Sequence, residues 1–192
     1  IVNWKRTGSR DDPAGAVVLE ATGSAQTDII STGSSFDDVF NKASGSIVWM
    51  INPAYAVPDS TQRFQWGRPG GGGAEFSAQI FSDNNFYIGC ASPDTRVVFA
   101  ASQANFTQNK TQMFVYTWAP GFQAVYRNGL LIASNTSTVT PSTSTSIFTW
   151  GGSSPGGGNN LVTGSQISLG YIYRGRALSL QEVKWLWAEP YA

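Results

Sequence analysis

The chain has 192 residues, with 12 basic and 12 acidic side chains and no formal net charge, and neither sign forms a run. This excludes the clustered Lys and Arg that displace counterions from nucleic acid, and no stretch approaches the ~20 apolar residues of a membrane span. The length suits a single domain, residues 1–192, able to bury a core without staples. Few charges, many aromatics and abundant Gly, Ser and Thr suit a turn-rich, exposed β protein better than a helical enzyme.

Taken in chain order, the start Ile1-Val2-Asn3-Trp4-Lys5 has neither the basic nor the apolar region of a signal peptide. It also lacks an initiator Met, so a processed chain or a fragment is expected. Ala16 to Glu20 and Ser46 to Ile51 are short apolar runs bounded by Gly, Asn or Pro, as strands are. Trp66 leads into a Gly-rich stretch, Gly67 to Gly73, expected to be a flexible loop. Glu75 to Phe81 and Phe86 to Cys90 read as strands flanking Asp83-Asn84-Asn85, a turn of residues that tolerate left-handed backbone. Cys90, the sole cysteine, excludes an intrachain disulfide and suits a small buried hydrophobe.

Arg96 to Ala101 is a further strand, and Met113 to Trp118 begins the strongest local pattern. Ala119-Pro120-Gly121 turns the chain, Phe122 to Arg127 returns, Asn128-Gly129 is the preferred pair for a type I′ hairpin, and Leu130 to Ala133 completes a meander. Ile147 to Trp150 leads into a second Gly-rich loop, Gly151 to Gly158, and Gln166 to Tyr173 is the last strand. Neither Gly-rich stretch carries the Gly-Lys-Ser/Thr ending of a phosphate loop. Ser179 and Glu182 have capping-box spacing, Leu178 and Val183 are placed as a hydrophobic staple, and Pro190 stops the helix they predict. Val183, Leu186 and Trp187 share its apolar face. Many short strands with one C-terminal helix imply an all-β, two-sheet antiparallel sandwich.

Two segments resemble a family. Trp118, its turn and Val125-Tyr126-Arg127-Asn128-Gly129 resemble the "W-x-x-G…Y-x-N-G" hairpin of laminin-G-like, concanavalin-A-like jelly rolls. Ile167 to Tyr173 followed by Arg176-Ala177-Leu178-Ser179-x-x-Glu182-Val183 resembles their closing strand and "R-A-L-S-x-x-E-I" helix. The ending Leu186-Trp187-Ala188-Glu189-Pro190-Tyr191 is similar to the "L-Y-x-x-P" tail of phage-encoded members, and Ser46 to Met50 matches an early "F-T-I-x-x-W" strand loosely. The resemblance implies a concanavalin-A-like jelly roll with the helix plugging an edge of the sandwich. Ser168 stands where an acidic residue is common, and Gly175 is an extra residue, so a calcium site does not follow from the resemblance.

With no His and one Cys, Ser-His-Asp and Cys-His catalysis and thiolate zinc sites are excluded. Two-carboxylate glycoside hydrolysis is the remaining enzyme chemistry. Yet Glu20, Glu75, Glu182 and Glu189 begin no E-x-D-x-x-E motif, and adjacent Asp37 and Asp38 would face opposite sides of a strand. No enzyme is expected. Calcium, which takes six to eight oxygens, is the one cofactor with candidates: Asp11-Asp12, Asp37-Asp38 and, best, Asp83, Asn84 and Asn85. Each also reads as a solvated turn.

Sugar binding needs an aromatic face and polar neighbours. Trp66 and Trp150, with Arg68, Asn159 and Asn160, are the candidates, the alternative being that both Trp lie in the core. Trp49, Trp118 and Trp187 read as core. Asn105, Asn109 and Asn135 begin sequons usable only in a secretory host. The expected function is that of a non-enzymatic virion surface protein, a phage decoration or fibre component, located on the virion or extracellularly. Its partners would be other virion proteins, cell-surface glycans or further copies of itself. The alternative is a lectin-like module of a larger secreted or surface protein, and a glycoside hydrolase is disfavoured.

Overall fold

The computed structural model describes residues 19–20, 30–35, 40–57, 60–70, 73–91, 94–139, 141, 147–152, 161 and 164–190. Asp11-Asp12, Asp37-Asp38, Asn159 and Asn160 lie outside the described residues. Two antiparallel sheets of 6 strands each face one another. The first runs in the order β1 (Leu19–Glu20), β12 (Gln166–Arg174), β3 (Gly45–Asn52), β8 (Gln112–Ala119), β9 (Phe122–Arg127) and β10 (Leu130–Asn135). The second runs β2 (Ile30–Ser35), β11 (Ile147–Trp150), β4 (Arg63–Gly70), β5 (Gly73–Ile80), β6 (Asn85–Cys90) and β7 (Val97–Ala100). This is the expected two-sheet jelly-roll sandwich, with one short helix, α1 (Leu180–Ala188).

The meander forms as its turn residues dictate. Ala119 pairs with Phe122 and Arg127 with Leu130, each closing a two-residue turn. Asn128 and Gly129 both take positive φ, 50° and 80°, as a type I′ turn requires.

The pleat explains why β3 and β8 read as unbroken apolar runs. In β3, Ile47, Trp49 and Ile51 join the core between the sheets, while Val48 and Met50 point to the opposite face. In β8, Phe114, Tyr116 and Trp118 face the core between the sheets, and Met113 and Val115 face away. Strands buried on both sides need apolar residues at every position.

The second apolar face is covered by α1. Val183 and Leu186 pack with Leu178 on Val48, Met50, Met113, Val115, Ala124, Tyr126 and Leu169. The helix therefore lies over the outer face of the first sheet instead of plugging an edge, because β3, β8, β9 and β12 offer it an apolar surface. Its start is the expected capping box: Glu182 N donates to Ser179 Oγ (3.4 Å), and Ser179 N donates to Glu182 Oε2 (2.8 Å). Leu178 and Val183 are both buried in one cluster, as a staple requires.

Strands β2 and β4 were not apparent from the sequence. The Gly67 to Gly73 stretch is mostly paired backbone, with Gly70 opposite Gly73 and Arg68 opposite Phe76. Gly and Pro lower strand propensity, and here the neighbouring strands supply the hydrogen bonds that propensity does not favour. In β4 the pairing passes from Phe64–Gln79 to Trp66–Ala78, leaving Gln65 as an extra residue. That bulge allows consecutive side chains to reach the interior: Trp49 Nε1 donates to Gln65 Oε1 (2.5 Å), and Trp66 packs edge-on against Trp49 (5.7 Å).

Candidate ligand-binding surface

The indoles proposed as a sugar platform are core residues. Trp66 is 0% exposed, enclosed by Trp49, Phe76, Tyr116 and Phe148. Trp150 is 8% exposed and meets Phe148 edge-on at 5.1 Å. Its ring lies over Gly170 of β12, where an added Cβ would come within 2.7 Å of Trp150 Cζ2. Neither ring has a free face for a pyranose, because the pleat and the β4 bulge turn them between the sheets. Arg68 is described only as backbone of β4.

Asp83, Asn84 and Asn85 form the tip between β5 and β6, held by Asn84 N donating to Phe81 O and Phe81 N donating to Asn85 O (both 2.9 Å). Asn84 takes φ 62°, the left-handed conformation for which Asn is suited. Local hydrogen bonds tie these side chains down. Asp83 Oδ1 accepts from Asn85 N (3.0 Å), while its Oδ2 accepts from Asn85 Nδ2 (3.0 Å) and Tyr87 Oη (2.7 Å). Asn84 Oδ1 accepts from Ser60 N (3.2 Å). The three residues thus form a hydrogen-bonded turn, and among the described residues no group of three or more His, Cys, Asp or Glu could hold a metal ion.

What this turn does build is a polar, partly aromatic surface on the outer face of the second sheet. In β6, Phe86 and Ile88 enter the core, so Tyr87 points outward. It pairs with Gln79 on one side and the exposed Val98 on the other, and Phe81 meets its ring edge-on (5.3 Å). The Arg96 guanidinium sits over that ring, 4.7 Å from its centroid. Asp94 grips Arg96 bidentately, accepting from Nε (2.9 Å) and Nη2 (2.7 Å). The Arg96 side chain is 16% exposed, whereas that of Asp94 is 57% exposed.

The electrostatics follow from these contacts. The Tyr87 hydroxyl, then the Asn85 amide, hold the Asp83 carboxyl below its usual range, and the Arg96 guanidinium does the same for Asp94. In return Asp83 raises the Tyr87 phenol and Asp94 raises Arg96. The surface presents ionised carboxylates at neutral pH.

It is also anchored. Arg96 O accepts from Asn135 Nδ2 (3.2 Å), and Thr95 O accepts from Gln123 Nε2 (2.8 Å). The buried Gln123 takes a hydrogen bond from Tyr116 Oη (2.6 Å) in the core. Tyr87, Asp94 and Arg96 were missed in the sequence. Two signals could have found them: Tyr87 is the polar residue of an alternating strand, and Asp94 stands two residues before Arg96, the spacing at which an Asp side chain caps the backbone N–H ahead of it, as Arg96 N donating to Asp94 Oδ1 (3.2 Å) shows.

The chain belongs to the concanavalin A-like lectin/glucanases superfamily, whose family model matches residues 20–184. No curated protein matches it by sequence. Among solved structures it is similar to the binding domain of botulinum neurotoxin DC in complex with SialylT (18% identity, TM-score 0.63), covering 90% of this chain and 42% of that one. The same domain in complex with rat synaptotagmin II gives 19% identity and TM-score 0.63 over 90% and 42%. A Trypanosoma rangeli sialidase with the inhibitor DANA gives 19% identity and TM-score 0.53, covering 76% of this chain and 23% of that one. The chain thus spans less than half the length of these structures, and at such identities the likeness is one of fold.

Proposed function

We propose that this domain is a non-enzymatic recognition module displayed on an exterior surface, a virion among them, and that the outer face around Tyr87 binds cell-surface glycans. The observation that carries the reading is the hydrogen-bonded set of Asp83, Asn85, Tyr87, Asp94 and Arg96, brought together by the β5–β6 turn, β6 and the approach to β7. Carboxylates and amides of fixed orientation suit sugar hydroxyls, and the exposed Val98 beside Tyr87 offers apolar surface to a pyranose C–H face. Membership of a lectin/glucanase superfamily supports the same direction. The non-enzymatic part rests on the lack of His and on Glu182, which is committed to the helix cap and to Arg176.

The test is a broad glycan array probed with the purified domain and with Tyr87→Ala. A hit in the parent that drops at least about tenfold in the variant, with unfolding unchanged, supports the reading; a folded parent that binds nothing overturns it. Exposed Leu130, Leu131 and Trp185 favour a second reading, assembly with protein partners, since apolar side chains left in water suit protein contacts.

A further inference from the structure

Resting on the glycan reading above, we infer that the Tyr87 surface selects its ligand by charge, accepting neutral and amino sugars and rejecting sialylated or other acidic ones. The placement of the three charged groups argues for this. Arg96, the cation of the patch, is withdrawn: it lies over the Tyr87 ring, and Asp94 occupies its Nε and one Nη2 hydrogen. The groups facing solvent are the carboxylates, Asp94 at 57% exposure against 16% for Arg96, with Asp83 exposed at the turn tip. Two carboxylates against one guanidinium leave an excess negative charge, and the negative partners are the outermost.

An acidic sugar could reach Arg96 only by displacing Asp94. That exchange swaps one carboxylate–guanidinium pair for another and leaves Asp94 unpaired beside the incoming anion, so nothing is gained and a like-charge repulsion is added. A neutral sugar meets no such opposition, since Asp83 Oδ1 and Asp94 Oδ2, each accepting a single hydrogen bond from a neighbouring residue, can take its hydroxyl protons. An amino sugar adds an ammonium group that two exposed carboxylates favour, an attraction that salt screens. The turn that sequence reading offered as a calcium site thereby becomes part of a selectivity filter for ligand charge.

The experiment measures binding of the whole chain to three immobilised probes: a neutral lactosamine glycan, its sialylated counterpart and a glucosamine oligomer. Each is measured at low and at physiological salt, with the parent, Asp94→Asn and Asp83→Asn. The expected result is that the neutral probe binds at least about tenfold tighter than the sialylated one, and that glucosamine binding weakens as salt rises. Asp94→Asn, which frees Arg96, should narrow the neutral-to-sialylated gap several-fold. Asp83→Asn should narrow it less, and serves if Asp94→Asn does not fold. Equal or tighter binding of the sialylated probe, lost in Tyr87→Ala, overturns the charge selection while leaving the glycan reading intact. Binding to none of the three, with no hit on the broad array, overturns both.

Discussion

Trp66 and Tyr87 are both aromatic residues of the second sheet, and the pleat gives them opposite uses. A residue can serve recognition only if its strand turns it outward, and the indole of Trp66 is turned between the sheets. Trp66→Ala should cost about 3–5 kcal/mol of stability through the cavity it leaves, visible as a fall in the urea midpoint. Lost binding in that variant would therefore report unfolding. Tyr87→Ala removes a ring outside both core clusters and should shift the midpoint far less. Gly170 is the complementary case, because the flat face of Trp150 occupies the space of its missing side chain. Gly170→Ala should destabilise by about 1–3 kcal/mol through overpacking, with the same measurement as the check. Sequence could name the aromatic residues but not their sides: the bulge at Gln65 changes the alternation of β4, and no residue type announces it.

At the scale of elements, legibility followed the strength of local rules. The meander and the helix were readable because Asn128-Gly129, Pro120-Gly121 and Ser179…Glu182 act through backbone geometry that few other residues supply. Ser179→Ala should cost about 0.5–2 kcal/mol in urea unfolding, since it removes the acceptor for Glu182 N and one partner of the Glu182 carboxylate. The helix's destination was not readable. Its apolar face needs a surface to cover, and that surface is assembled from four strands, of which β3 lies more than a hundred residues before the helix. β4 and the start of β5 were hidden for another reason, since their pairing is made by backbone and their Gly-rich composition argues for a loop.

At the scale of the whole molecule, three carboxylates among the described residues contribute to the response to acid. Asp83, Asp94 and Glu182 all have pKa values lowered from ordinary values of 3.8, 3.8 and 4.5. Groups depressed in the folded state stabilise it above their unfolded pKa, and that stabilisation is lost as pH falls through the folded values. The urea midpoint should thus be level near neutrality and decline from about pH 4.5 downward. Asp83→Asn should flatten part of that decline, and an equally steep profile in the variant would remove Asp83 from the account. The fold class was legible from the Trp118 to Gly129 and Arg176 to Val183 motifs because they are structural devices. The ligand-binding surface was not, since Asp83, Tyr87 and Arg96 become a site only when the turn, β6 and the approach to β7 come together.

The position of β3 has a consequence for how the molecule comes into being. This strand lies between β8 and β12, which begin at Gln112 and Gln166. The centre of its sheet is therefore zipped shut by a segment synthesised more than a hundred residues later. A nascent chain that has not yet delivered β12 can form the meander, but it leaves one edge of β3 open and α1 absent. Productive folding is then a late event, and such non-local pairing is slow, on the order of milliseconds to seconds. Stopped-flow refolding followed by tryptophan fluorescence should find its main phase in that range, and a chain ending before Gln166 should show no cooperative unfolding transition.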